Sequence, residues 1–136
     1  MPIMMKHMQL RAAVLAALRA AIAEHTTFID GSPVALTPDS LPAIAVYISD
    51  AQPVENALDE ALWQASLHVE LFEKAESPDS TLDEKMVQKI SPTLMSVSVL
   101  KESTQTFSTQ RYDYRRDEEG SIWRSAYLEF SITYYQ

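Results

Sequence analysis

The 136-residue sequence predicts an α+β fold. It implies one antiparallel or mixed sheet of about four to five strands, with two main helices packed mostly on one face. Three observations predict it. Apolar residues recur at helical spacing near the N-terminus and again beyond residue 77. Two long stretches alternate apolar with polar residues, as half-buried strands do. The order is helix, strands, helix, strands, without the regular strand–helix alternation of a parallel sheet. The length fits one domain over residues 1–136, since domains commonly hold roughly 100–150 residues.

Residues 6–24 are helix formers throughout, and Leu10, Val14, Leu18 and Ile22 recur every fourth position with Met8 and Leu15 beside them. That is an apolar stripe on one helical face. His25, Thr26 and Thr27 end it. Met5 offers a second start, so residues 1–4 are expected to be a dispensable extension. "FIDGSP" reads as a short strand tip and a turn, because Asp30-Gly31 takes positive φ at little cost. "LPAIAVYIS", residues 41–49, is apolar on both sides and predicts a central strand covered at least partly on both faces. The polar residues 50–61 predict a loop.

From Trp63 to Leu71 apolar and polar residues alternate, which predicts a half-buried strand. "SPDSTLDEKMVQKISPTLM" predicts the second helix. Ser77 with Pro78 suits N-cap and N1, or Ser80 with Asp83 a capping box. Either start leaves Asp79, Asp83 and Glu84 beside the positive end of the helix. Leu82, Met86, Val87 and Ile90 form its expected buried face, and Pro92 is expected to end or kink it. "STQTFSTQRYDYRR" is rich in β-formers, and Gly120 follows an acidic turn. Beyond it Ile122, Ala126, Leu128, Phe130 and Ile132 alternate with Trp123, Ser125, Tyr127, Glu129, Ser131 and Thr133. Residues 110–123 therefore predict a β-hairpin with its charges at the bend.

Composition removes several function classes. The net charge is −8 and the pI about 4.7, against the basic patch that grips phosphates or an anionic membrane surface. There is no cysteine, so disulfides, thiolate chemistry and cysteine-built zinc sites are excluded. No apolar run approaches the roughly 20 residues that cross a bilayer, and no export signal is read at the N-terminus. With only Gly31 and Gly120 in the chain, neither a G-x-S-x-G elbow nor a phosphate-cradling loop can form. His7, His25 and His68 sit in separate elements, with no pair at metal-ligand spacing.

The densest polar cluster is "QRYDYRRDEEGSIW". Asp113, Asp117, Glu118 and Glu119 could pair as acid and base. A hairpin bend is wet, however, and Arg115 and Arg116 favour ionised carboxylates, so solvated or partner-facing charges are the stronger reading. A weak divalent ion near Asp117 and Glu118 is the only metal reading, and the spacing matches no EF-hand. Tyrosine, tryptophan and arginine dominate interfaces. The expected contact residues are therefore Tyr112, Asp113, Tyr114, Arg115, Arg116, Asp117 and Trp123, together with Asp79. Arg115 and Arg116 suit bidentate pairing with a carboxylate of a neighbouring subunit.

"MKHMQLRAAVLAAL", "FIDGSP", "PAIAVYIS", "WQASLHVELF", "PDSTLD", "YDYRRDEEGSIWRSA" and "ITY" lie in this order across nearly the whole chain. In these stretches the chain resembles the minor tail protein U of lambda-like phages, the tail terminator family. The resemblance implies a structural protein with no catalysis and no cofactor. It implies a homo-hexameric ring on the head-proximal end of the tail tube, contacting the tube protein and a head-completion or connector protein. It places the protein in the virion tail, after assembly in the host cytoplasm. Six chains at −8 carry about −48 together, and a negative lumen would let DNA pass without specific binding. Like-charge repulsion would keep the free protein monomeric, with salt or Mg²⁺ promoting closure. The alternatives are another head-tail neck component and, from a different class, a small carboxylate-dependent hydrolase.

Overall fold

The computed structural model describes residues 3–33, 35–54 and 62–135. Helix α1 runs over Ile3–Ala21. Strand β1, Thr27–Asp30, follows, and Gly31 takes the turn at φ 114°. Strands β2, Ala43–Pro53, and β3, Leu62–Lys74, form a long hairpin. The second helical region is α2, Asp79–Lys85, a π turn, Met86–Ile90, and then α3, Ser91–Ser96, and α4, Ser98–Ser103. Strands β4, Thr106–Arg116, and β5, Trp123–Tyr135, make the C-terminal hairpin. The five strands form one mixed sheet in the order β1-β2-β3-β5-β4, antiparallel except for the β1–β2 pair.

The helices cover one face, as expected. Leu10, Val14, Leu15 and Leu18 of α1 and Leu82, Met86, Ile90 and Leu94 of the second helical region meet Val46, Leu67, Val69, Phe130 and Ile132 of the sheet. Full burial of each such side chain contributes about 1.5–3 kcal/mol. A second, smaller cluster lies on the other face, where Leu36 and Leu41 cover Ala43, Ala45 and Phe72. That covers β2 on both sides over its first half, as its composition predicts. Among the described residues no helix is long and apolar enough to cross a membrane.

Several details differ from the sequence expectations. Residues 50–53 belong to β2, where Gln52 and Pro53 pair with Gln64 and Trp63 across a bulge that follows Ser49. Asp50 sits at that bulge with φ 57°, a conformation its short polar side chain tolerates. The rest of the expected loop, 55–61, lies outside the described residues, as do residues 1 and 2 of the expected extension. Ile3 already belongs to α1 and packs against the core.

Neither Ser77 nor Ser80 caps α2; the N-cap is Pro78, with no side-chain cap. Ser77 is held one position too early, its N–H donating to the Lys74 carbonyl in the turn that leaves β3. Pro92 does not end the helix. The π turn immediately before it, closed by the Ser91 N–H on the Met86 carbonyl, takes up the distortion that a proline ring and its missing donor would cause. The wide turn keeps Leu82, Met86, Ile90 and Leu94 inward. Val87 is turned out of the expected buried face and is 71% exposed. Ile122 is not part of the β5 alternation. Its N–H donates to Asp117 Oδ2, and its side chain joins the Leu36–Phe72 cluster on the opposite face.

Candidate interaction site

The β4–β5 hairpin forms as the sequence predicts, but its bend lies at residues 117–122 and its arginines sit on the strand. Asp117 organises the bend. Its Oδ1 and Oδ2 accept the N–H groups of Glu119 at 3.4 Å and Ile122 at 3.0 Å, and its carbonyl accepts that of Gly120 at 2.7 Å. Gly120 has φ 69°, which a glycine adopts without strain. Strand β4 is the outer edge of the sheet, and all its side chains except Phe107 are exposed.

Alternation sends the hairpin side chains to two faces. Asp113 and Arg115 stand opposite Tyr127 and Ser125 on the face without helices, with Trp123 beside them. Tyr112 and Tyr114 stand opposite Leu128 and Ala126 on the helix face, and Arg116 opposite Arg124. The eight expected contact residues therefore do not form one surface.

On the open face the organising group is Glu70 of β3, which is fully buried. Arg115 donates to it twice, Nε to Oε2 at 3.0 Å and Nη2 to Oε1 at 2.8 Å. The Tyr47 hydroxyl donates to Oε1 at 2.8 Å and the Ser125 hydroxyl to Oε2 at 2.6 Å. Four donors fill the acceptor capacity of a carboxylate. The bidentate pairing expected between subunits is thus formed within the chain, because the β3–β5–β4 register brings Arg115 across to Glu70. Burial first, and then the Glu70 charge, hold the Tyr47 hydroxyl well above its ordinary range, so it remains a donor. The Arg115 guanidinium also lies 5.9 Å from the Trp123 ring centroid, and Trp123 meets Phe72 edge-on at 5.0 Å.

Next in the row, His68 stacks on Tyr47 at 4.5 Å and accepts or donates a hydrogen bond with Ser49 Oγ at 2.8 Å. Its Nδ1 is buried without a hydrogen bond, 3.7 Å from Glu129 Oε1. Burial lowers the His68 pKa below its ordinary value, against the opposite pull of Glu129 and Glu70.

On the helix face Tyr112 and Tyr114 both donate to Asp83 Oδ1, at 2.6 and 2.7 Å. Their rings meet edge-on at 5.3 Å. Together with Met86, Val87, Pro92 and Leu128 they line an open, mainly apolar groove of about 480 Å³. Beside it, Asp79 lies 3.4 Å from Arg124 Nη1, which also donates to the Ser77 carbonyl. Arg116 makes no ion pair among the described residues. These contacts orient strands and hold a surface. Among the described residues no group of three or more His, Asp or Glu is placed to hold a metal ion, and the Asp117 oxygens are engaged by backbone donors.

The sequence profile of phage minor tail protein U matches residues 5–134. The chain belongs to the phage minor tail protein U family. Two relatives align over almost their whole length. The tail tube terminator protein of Escherichia phage N15 is 42% identical over 130 residues, covering 96% of this chain and 98% of that one. The tail tube terminator protein of Escherichia phage lambda is 42% identical over 133 residues, with the same shares. As a minor tail protein U, the chain is a structural component of a phage tail and not an enzyme.

Glu70, Tyr47, His68, Asp83 and Val87 were not among the contact residues expected of this minor tail protein U from sequence. Glu70 and His68 occupy the polar phase of an alternating strand, which reads as solvent-facing. Only the cross-strand register shows that Tyr47, Arg115 and Ser125 enclose Glu70. Tyr112, Tyr114 and Asp83 are 29 and 31 positions apart, and no local pattern links them.

Proposed function

We propose that this protein forms a ring on the head-proximal end of the tail tube, ends tube polymerisation and presents the surface to which the head attaches. The observation that carries this reading is the likeness, over 96% of the chain, to two proteins named tail tube terminators. The fold is compatible with it. A ring requires two different flanks on each subunit, and this sheet has two unlike edges: β1, four residues long beneath α1, and β4, eleven residues long and exposed.

In this reading the ring is a homo-hexamer, and its other partners are the tail tube protein and a head-completion protein. DNA passes through the lumen without specific binding. Assembly takes place in the host cytoplasm. The free subunit is mainly monomeric, and Mg²⁺ or salt promotes closure by screening the −8 charge of each chain. Asp79, Tyr112, Asp113, Tyr114, Arg116, Asp117 and Trp123 contribute to subunit or tube contacts, with the exposed half of Arg115 beside them.

The direct test images tails assembled in a lysate lacking this protein, then with it restored. Overlong, headless tubes that become uniform and head-competent on addition are the expected result. Tubes of normal length without the protein would overturn the reading. For the contact residues, Arg116→Glu is the cleaner probe, because Arg115→Glu would also disturb Glu70. Unchanged tail joining by a folded Arg116→Glu protein would remove Arg116 from the contact.

A further inference from the structure

Two apolar surfaces of the described chain are covered by nothing within it. The first is the outer side of α1. Its inner stripe, Leu10, Val14, Leu15 and Leu18, is core, yet Met5, Met8, Ala12 and Ala16 repeat at three- and four-residue spacing on the solvent side. Met4 and Met8 are 66% and 59% exposed. A helix that is apolar around most of its circumference is built to be buried on more than one side.

The second surface is the groove beside β4. Helix α1 packs over β1 and β2 and against α3 and α4, its first turns reaching β5 where His7 meets Tyr134, and α2 lies over β3 and β5. Strand β4 stands beyond them at the far edge, with the faces of Tyr112 and Tyr114 open and Val87 projecting as one wall. The two surfaces are distinct: the exposed side of α1 faces away from the sheet, and the groove opens at the β4 edge. One charge pair is complementary across them, Lys6 of α1 and Asp83 of the groove. Helix α1 carries Lys6, Arg11 and Arg19 and no acid over nineteen residues; Arg11 is paired with Asp30 and Arg19 lies over Phe28, which leaves Lys6 nearest the methionines. Among the acids of α2, Asp83 lines the groove, where it accepts the Tyr112 and Tyr114 hydroxyls, and Asp79 lies beside it, paired with Arg124. In a chain of net charge −8, α1 and β4 are both cationic, β4 through Arg111, Arg115 and Arg116 against Asp113.

We infer that the occupant of the groove is a second copy of this chain, whose α1 lies against Tyr112, Tyr114 and Val87. The contact joins unlike surfaces, so it is heterologous and can close a ring by rotation. Methionine suits such a seat, since its flexible thioether adapts to aromatic walls. The inference deepens the ring reading and rests on it.

The absence of native cysteine gives a clean test. Met8→Cys and Val87→Cys are introduced together and singly into the full chain, assembled on tail tubes, oxidised, and run on denaturing gels beside electron micrographs of the same samples. The double variant is expected to give a covalent ladder that ends at the ring number, and the single variants none. Rings in the micrographs without a ladder would overturn this contact and leave the ring reading standing. Dimers from Met8→Cys alone would place α1 against α1 and overturn it. Linkage of Val87→Cys to the tube protein would give the groove to the tube and also overturn it. No rings from the unmodified protein would defeat the ring reading itself. In parallel, Val87→Glu should raise the protein concentration needed for ring formation by at least about tenfold, the loss of one apolar anchor. Its unfolding midpoint in urea should stay at the unmodified value. An unchanged ring threshold would count against the groove.

Discussion

The partners of Glu70 differ in what each would leave behind if removed. Arg115→Ala leaves a fully buried carboxylate with two hydroxyl donors and no cation. Breaking a buried pair in this way should cost about 3 kcal/mol. Glu70→Gln keeps the volume and one acceptor, and frees a half-exposed guanidinium that water can solvate, so it should cost less, about 1–2 kcal/mol. Urea unfolding of both variants checks the order; an Arg115→Ala protein as stable as the parent would mean that the pair does not hold the edge strand. His68 makes a pH prediction. Its folded pKa lies below the ordinary 6.5, first because of burial, so the unfolded chain binds the proton more readily. Its stabilising contribution is full above pH 6.5 and is lost as pH falls through the lower folded value. His7, whose pKa is also lowered by burial and then by Arg11, acts in the same direction. The midpoint should therefore fall with acidification below pH 6.5, less steeply in His68→Gln. An unchanged slope in that variant would exclude His68. The hairpin charges were legible in the sequence as a set, but Arg115's partner was not, because Glu70 lies 45 residues away and on another strand.

At the scale of elements, the alternating strands and both helical regions follow from their periodicity, while the phase of the second helical region does not. The sequence places Val87 with Leu82, Met86 and Ile90. The π turn adds one residue to that turn and rotates Val87 outward. Leu82→Ala should therefore cost about 2–5 kcal/mol through lost burial and a residual cavity. Val87→Ala should change stability by no more than about 0.5 kcal/mol, as surface positions do. Equal costs for the two would restore Val87 to the core. The start of that region was misplaced for a related reason. Ser77 has the chemistry of a cap, but the turn leaving β3 fixes its N–H and carbonyl elsewhere. Local propensity names capable residues; the path of the chain decides which are used.

For the whole molecule the governing quantity is charge. Bringing chains of net charge −8 together is opposed by repulsion that added ions screen. If the protein closes into rings, light scattering should show mass rising with ionic strength, and more steeply with Mg²⁺ at matched ionic strength if a divalent ion bridges subunits. Equal curves would reduce Mg²⁺ to a screening ion, and rings already complete at low salt would remove electrostatic control. By itself the sequence determined the α+β class, the strands, the two helical regions, the hairpin and the family, since each rests on short-range periodicity or on colinear residues. The tertiary structure alone decided that Arg115 locks onto Glu70, that Tyr112 and Tyr114 share Asp83, and that β4 is left as the bare edge. Those outcomes depend on strand order and register, which bring together residues tens of positions apart. Alternation assigns a side chain to one of two faces, but only neighbouring strands decide whether that face is water, a carboxylate or another chain.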